Sequence, residues 1–92
     1  MLIFQYCRAL YAFDSIDETT MSVKEGENLK ILQKHDDNFN DEWWLLEKII
    51  SEKSHQNDNI MIRGYVPSNY VQLIYRAEIK KDSSDVIVLY ND

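Results

Sequence analysis

The chain alternates short runs rich in β-branched and aromatic residues with polar connections, a pattern that predicts β-strands. No stretch keeps a helical period over three turns. The nearest is residues 43–50, whose length and two tryptophans favour a strand over a helix. Strands joined by polar turns predict a small all-β barrel or sandwich. The predicted strands are residues 6–14, 29–31, 43–50, 60–65 and 71–74.

Local chemistry sharpens several parts of this pattern. Alternation in the first strand puts Cys7 and Ala9 on the inner face, which predicts Cys7 as a small buried hydrophobe. Gly26 lies in a predicted turn, at a position that tolerates positive φ. Pro67 cannot donate to a sheet ladder, so the fourth strand must end there. Residues 51–59 contain no apolar side chain and predict the mobile tip of a long hairpin.

The end of the chain divides into two parts. Residues 76–85 are mostly polar and are typical of a linker, whereas residues 86–90 (VIVLY) are apolar and strongly β-prone. Such a segment would risk aggregation if left in water. It either adds a strand to an open edge of the barrel or docks on a partner. We therefore expect a domain over residues 5–75 and a C-terminal extension over residues 76–92.

Composition excludes several classes of partner. Ninety-two residues make one small domain, and a net charge of −6 opposes nucleic acid and anionic membranes but suits a basic peptide. A single cysteine excludes an internal disulfide and favours a reducing compartment, so we expect the cytoplasm. No apolar run has the length of a membrane span, so we expect no membrane insertion.

Catalysis and metal binding have no support in the sequence. His35 and His55 lie in polar loops without companions at metal-ligand spacing. There is no nucleophile–base pair, glycine-rich phosphate loop or paired acid and base in an apolar setting. The sequence therefore predicts a protein that is not an enzyme, with no catalytic residues, no bound metal and no cofactor.

Four short sequence motifs follow one another along the chain. They are residues 9–14 (ALYAFD), 21–27 (MSVKEGE), 42–44 (EWW) and 64–71 (GYVPSNYV). Together, over residues 6–74, they resemble the motifs of SH3 domains. The resemblance implies a five-stranded SH3-like barrel, here with a long distal hairpin and a C-terminal extension. More generally, the chain is similar to domains of fungal cytoskeletal or polarity scaffold proteins.

The resemblance also implies a function as an adaptor that binds proline-rich, PxxP-type segments in the polyproline II form. Such segments are already extended and lose little conformational entropy on binding. Paired aromatic side chains would form slots for X-Pro units, and polar groups would donate to peptide carbonyls. By motif position, the groove residues are Tyr11, Phe13, Trp43, Pro67, Asn69 and Tyr70.

A third pocket is implied beside Trp43, between two acidic loops, where a basic residue of the peptide would bind. Thr20 stands where the family usually has the carboxylate that pairs with arginine. A basic preference should survive through neighbouring acids, with altered register or weaker arginine selectivity. The residues implied for this specificity pocket are Asp17, Glu18, Thr20, Asp41, Glu42 and Tyr65.

Two other functions stay open at this point. The extension and the long hairpin could contact a folded partner, with the groove secondary. A small barrel with surface aromatics could also bind single-stranded nucleic acid, although the net charge of −6 opposes this.

Overall fold

The structure is a computed structural model that describes residues 2–49, 62–80 and 86–91. These residues form a single antiparallel sheet with the order β4-β3-β2-β1-β5-β6 and one 3₁₀ turn, Ser68–Tyr70. The predicted all-β fold is thus confirmed, while the predicted hairpin tip at 51–59 lies outside the described residues. The strands are β1 (Leu2–Ala9), β2 (Asn28–Gln33), β3 (Trp43–Lys48), β4 (Arg63–Pro67), β5 (Val71–Lys80) and β6 (Val86–Asn91).

The β4 edge of the sheet is joined to the long connection between β1 and β2. The Tyr65 N–H donates to the Thr19 carbonyl at 2.9 Å, and the Met21 N–H donates to the Tyr65 carbonyl at 3.1 Å. Gly64 makes this approach possible, because a Cβ there would lie 2.6 Å from the Met21 Cβ. Strands β1–β5 and this connection therefore enclose a barrel-like core.

Among the residues whose burial the structure describes, nine apolar side chains form the core. Cys7 and Ala9 are buried, as their alternation in the sequence predicts, and Val66 and Val71 are buried on the later strands. Burial raises the pKa of the Cys7 thiol to about 12, so Cys7 is a core residue and not a nucleophile at neutral pH. The remaining members are Met21, Val23, Leu29, Ile31 and Leu46.

The predicted start of the first strand and the predicted end of the fifth strand are wrong, for one reason. β1 begins at Leu2, because its first five residues pair with β5 residues 75–79, beyond a register shift at Tyr6 and Cys7. β5 correspondingly runs to Lys80 and includes residues 76–80, which resemble a linker in the sequence. A polar composition did not prevent strand formation, because a neighbouring strand was available on each side.

Strand β6 lies at the edge of the sheet and pairs with residues 75–80 of β5. Residues 10–14, predicted as the end of the first strand, instead begin the connection to β2 and hold one isolated bridge, between Phe13 and Val23. Gly26 has a φ of 84°, as predicted for its turn. Within the described ranges, no helix is long and apolar enough to cross a membrane.

Candidate functional site

Four aromatic rings from distant parts of the chain lie in one row. The ring centroids of Tyr11 and Tyr70 are 5.5 Å apart, with the ring planes at 76°. The Phe13 centroid lies 5.9 Å from that of Tyr70 and 6.1 Å from that of Trp43, again edge to face. Edge-to-face contact is a favoured geometry for aromatic pairs. We call these four residues the aromatic row; it runs in the order Tyr11, Tyr70, Phe13, Trp43.

Backbone hydrogen bonds hold the first part of the row. The Leu10 N–H donates to the Tyr70 carbonyl at 2.7 Å, which brings the end of β1 to the 3₁₀ turn. Phe13 and Val23 exchange two backbone hydrogen bonds, of 3.0 and 2.9 Å. Main-chain hydrogen bonds therefore fix the backbone positions that carry these rings.

Pro67 extends the row at the end of β4. It pairs with Trp43 in the β3–β4 register, and the next residue, Ser68, donates its N–H to the Glu42 carbonyl at 2.8 Å. A surface cavity of about 450 Å³ opens here. Its lining residues are Glu42, Trp43, Pro67, Ser68 and Asn69.

The aromatic row is an accessible surface and not part of the core. The Tyr11 side chain is 57% exposed, and the other three rings and Pro67 are half-buried. Tyrosine hydroxyls and the indole N–H supply hydrogen-bond donors at the edges of otherwise apolar, rigid rings. Such a surface can hold an apolar, rigid ligand and donate to its carbonyl groups.

The second tryptophan has a different role. Trp44 lies on the opposite face of β3 from Trp43, since neighbouring strand residues alternate, and it packs against the buried core. The Lys34 Nζ lies 5.4 Å from the centroid of the Trp44 ring. Trp44 therefore covers the core, and Trp43 alone belongs to the aromatic row.

A second cavity, of about 350 Å³, lies between the β1–β2 connection and the β2–β3 loop. It shares Trp43 with the aromatic row and includes three carboxylates, so we call it the acidic cavity. Its lining residues are Ile16, Asp17, Thr19, Thr20, Asp36, Asp37, Asn38, Trp43 and Tyr65.

Asp17 both lines the acidic cavity and stabilises its own loop. Its Oδ1 accepts hydrogen bonds from the Thr19 N–H at 2.9 Å, the Thr19 hydroxyl at 2.7 Å and the Thr20 N–H at 3.1 Å. The bonds from Thr19, followed by those from Thr20, hold the pKa of Asp17 below its ordinary value. Asp17 therefore keeps its negative charge at neutral pH.

The Thr20 hydroxyl is turned into the loop. Its oxygen accepts from the N–H groups of Ile16 at 2.9 Å and Asp17 at 3.2 Å, and it lies 3.2 Å from the Asp17 carbonyl, to which it donates. The side chain at this position therefore organises the loop, and the negative charge of the acidic cavity comes from elsewhere.

The opposite wall of the acidic cavity belongs to the β2–β3 loop. The Asp36 Oδ1 accepts from the N–H groups of Asn38 at 2.8 Å and Asn40 at 3.0 Å. The Tyr65 hydroxyl lies 3.4 Å from the Asp37 Oδ1, to which it donates. Desolvation and then the nearby charge of Asp37 raise the pKa of Tyr65, so the phenol stays protonated and remains a donor.

The structure brings the six predicted groove residues to one surface, along the aromatic row and the adjoining cavity. Of the six residues predicted for the specificity pocket, three line the acidic cavity: Asp17, Thr20 and Tyr65. Glu42 instead lines the cavity beside Pro67. Neither Glu18 nor Asp41 is among the residues that line the two cavities.

Five residues that line the acidic cavity were not among the predicted site residues: Ile16, Thr19, Asp36, Asp37 and Asn38. A signal for Asp36 and Asp37 was present in the sequence, because they form an adjacent acidic pair in the β2–β3 loop. The sequence alone does not show which end of an acidic loop faces the cavity. Within residues 2–49, 62–80 and 86–91, no group of three or more His, Cys, Asp or Glu side chains could hold a metal ion.

Comparison with known proteins places this geometry in a family. The family model for the SH3 domain matches residues 8–68, about two thirds of the chain. The chain is also similar to the crystal structure of the C-terminal SH3 domain of myosin IB from Entamoeba histolytica, with 27% identity and a TM-score of 0.55. That match covers 77% of this chain and 93% of the other. The matched residues include the whole β1–β2 connection and Trp43, and the chain belongs to the SH3 domain family.

Proposed function

We propose that this chain is a non-catalytic adaptor module that binds proline-rich, PxxP-type segments of partner proteins in the polyproline II form. SH3 domains are protein-interaction modules that typically bind such peptides. The observation that carries the proposal for this chain is the aromatic row, Tyr11, Tyr70, Phe13 and Trp43, lying accessible beside Pro67. The binding module spans residues 5–75, and residues 76–92 form an extension to it.

The chemistry of the ligand matches this surface. A polyproline II segment has three residues per turn, exposes ridges of prolyl rings and leaves its carbonyls without internal partners. One X-Pro unit would bind between Tyr11 and Tyr70, and a second between Tyr70, Phe13 and Trp43, next to Pro67. The Tyr70 hydroxyl, the Trp43 indole N–H and the Asn69 amide would donate to peptide carbonyls.

We further propose that a basic residue flanking the prolines binds in the acidic cavity. The cavity shares Trp43 with the aromatic row, so a peptide can extend from one into the other. Asp17, Asp36 and Asp37 would provide the negative charge, and the Trp43 ring would offer a cation–π contact. Glu18, Asp41 and Glu42 do not line the cavity and would act at longer range, by attracting the basic peptide.

The proposal is tested with a proline-rich peptide that carries one flanking arginine and with its Arg→Ala version. Isothermal titration at low salt should give a Kd on the order of 10 μM for the first peptide, which is about −7 kcal/mol. The Arg→Ala peptide should bind more weakly, with less salt dependence. Absence of binding to both peptides would refute the groove, whereas equal affinities would refute the cation site alone.

The single buried cysteine, Cys7, is compatible with a reducing compartment. We therefore propose a cytoplasmic scaffold or signalling role, with partners in the cytoskeleton or in cell polarity as the first proteins to screen.

One observation favours a second function, contact with a folded partner through the extension and the long hairpin. β6 widens the sheet beyond the five strands of the barrel, and Ile49 and Ile62, where the described residues end on each side of the hairpin, are 52% and 47% exposed. Val88→Pro should disrupt β6, because proline cannot take part fully in the ladder with β5. Binding of a proline-rich peptide should persist in this variant. If capture of a partner is lost while peptide binding persists, the second function holds.

A further inference from the structure

Two strongly exposed large hydrophobic side chains lie next to the acidic cavity. Phe39 is 81% exposed and Ile16 is 69% exposed. Ile16 lines the cavity from the β1–β2 connection, and Phe39 directly follows Asn38, which lines it from the β2–β3 loop. An apolar side chain therefore stands on each of the two loops that form this charged site.

Phe39 is held in a fixed and unfavourable backbone conformation. Its φ is 60°, in the left-handed region that an aromatic residue seldom adopts. The Phe39 N–H donates to the Asp36 carbonyl at 3.0 Å, and the Asp36 N–H donates to the Asn40 carbonyl at 3.0 Å. The loop thus maintains this conformation with its own hydrogen bonds, although a glycine or asparagine would adopt it at lower cost.

The Phe39 ring is supported from one side. It stacks on the His35 ring with centroids 4.8 Å apart and planes at 29°, and the His35 Nδ1 lies 2.8 Å from the Asp36 carbonyl oxygen. His35 therefore supports one face of the ring, and 81% of the Phe39 surface remains exposed for contact. A preordered aromatic ring loses little entropy when it binds an apolar group.

We propose that Phe39, together with Ile16, binds an apolar side chain of the peptide ligand that lies beyond its basic residue. The inference rests on the proposed function and adds a specificity contact outside the groove. Trp43 belongs to both the aromatic row and the acidic cavity, and Asn38, the chain neighbour of Phe39, lines the same cavity. A peptide whose arginine occupies the cavity would reach this surface with its following residues.

The chemistry around Phe39 favours this occupant over others. Four acidic residues lie within three positions of Phe39 in the sequence: Asp36, Asp37, Asp41 and Glu42. The whole chain has a net charge of −6. An anionic membrane would be repelled by these charges, and a second copy of the chain would bring the same charges into contact. A basic peptide with an apolar residue suits both the carboxylates and the ring.

The test is a peptide series with a proline-rich core and one arginine, followed by four added positions, each occupied in turn by leucine or alanine. At one position, leucine should bind the wild-type chain about three- to tenfold more tightly than alanine. In Phe39→Asn, which suits the left-handed φ, this advantage should fall below about twofold while the core peptide binds unchanged. Ile16→Ala should reduce the advantage in part. Ile3→Asn, a matched change at another exposed site, should retain it in full.

The inference is overturned if leucine gives no advantage at any position, or if Phe39→Asn retains the advantage. These results leave the proposed function intact, provided that the core peptide still binds. Failure of the core peptide itself would instead refute the proposed function. Sedimentation of the wild-type chain and of Phe39→Asn tests the remaining occupant, a second copy of the chain. If the wild type is a dimer that Phe39→Asn dissociates, and the leucine advantage is unchanged, this surface binds a second copy and the inference is overturned.

Discussion

The aromatic row and the acidic cavity share Trp43 but are held in place by different kinds of bonds. Backbone pairing positions the row: Leu10 with Tyr70, Phe13 with Val23, and β3 with the end of β4. The side chains of Asp17, Thr20 and Asp36 accept hydrogen bonds from backbone N–H groups of their own loops and so shape the cavity. Substitutions should therefore act differently in the two regions. In the row they should remove contact area, whereas in the cavity they should change both charge and loop conformation.

The largest expected effect is on binding by the aromatic row. Trp43→Ala should weaken binding of a proline-rich peptide by at least about thirtyfold, roughly 2 kcal/mol, because a central aromatic ring carries much of an interface's binding energy. Isothermal titration measures the change. Thermal unfolding should show a folded domain, since Trp43 lies on the surface and is only half-buried.

Trp44 provides the matched control for this prediction. Trp44→Ala should lower the free energy of unfolding by about 2 kcal/mol, because the side chain packs against the core, and should leave peptide affinity nearly unchanged. If Trp44→Ala weakens binding as much as Trp43→Ala in a folded protein, the division of roles between the two faces of β3 is incorrect.

The next largest effect is on stability, at Gly64, where β4 lies against the β1–β2 connection. Gly64→Ala should lower the free energy of unfolding by about 1–3 kcal/mol, because the new Cβ would overlap the Met21 Cβ and press on the Thr20 backbone. Urea denaturation measures this. Gly26→Ala is the comparison: nothing lies near its Cβ, so its cost, about 1–2 kcal/mol, should arise from the positive φ alone.

A smaller effect is expected from the charge of the acidic cavity. Asp37→Asn should weaken binding of an arginine-bearing peptide about two- to fivefold, roughly 0.5–1 kcal/mol, and should reduce its salt dependence. Glu18→Gln removes one negative charge outside the cavity. It should change the binding free energy by less than about half of the change caused by Asp37→Asn. Equal effects of the two substitutions would indicate general electrostatic attraction and not a defined cation site.

The smallest effect concerns stability in acid. Desolvation alone would raise the pKa of Glu27, but hydrogen bonds from Lys48 and from the Lys24 N–H, together with their charges, outweigh it and lower the pKa. The stabilisation that ionised Glu27 gives to the fold is therefore fully present above the pKa of Glu27 in the unfolded chain. It is lost as the pH falls through the lower pKa of Glu27 in the folded chain. Glu27→Gln should cost up to about 1 kcal/mol at neutral pH and less in acid. A cost that grows as the pH falls would contradict this assignment.

Much of the aromatic row was predictable from sequence because its residues lie in motifs with fixed spacing. Pro67 ends a strand for covalent reasons, and the resemblance assigned Tyr11 and Phe13 by their positions in the motif at residues 9–14. The composition of the acidic cavity was harder to predict, since several loop acids were equivalent in sequence. The structure distinguishes these acids. Asp17 and Asp36 line the cavity and accept hydrogen bonds from their own loops, whereas Glu18 and Asp41 do not line the cavity.

The length of β1 and β5 was not predictable from local patterns. Residues 2–5 (LIFQ) are a short apolar run and residues 76–80 (RAEIK) are mostly polar. They become strands because residues 2–5 pair with residues 76–79, and residues 76–80 pair with β6 on their other side. The left-handed conformation of Phe39 was equally hidden, because it depends on the hydrogen bonds that Asp36 makes within the loop. Tertiary pairing and loop closure therefore account for the main differences between prediction and structure.

The most direct measurement is NMR titration of the full chain with a proline-rich peptide, observing the tryptophan indole N–H signals and the aromatic ring signals. The molecule contains an internal control, since Tyr6 and Tyr75 stack on each other with centroids 4.7 Å apart, outside the aromatic row. We predict large shifts for Tyr11, Phe13, Trp43 and Tyr70 and none for Tyr6 and Tyr75. Shifts at Tyr6 and Tyr75 with an unchanged Trp43 indole signal would contradict the account.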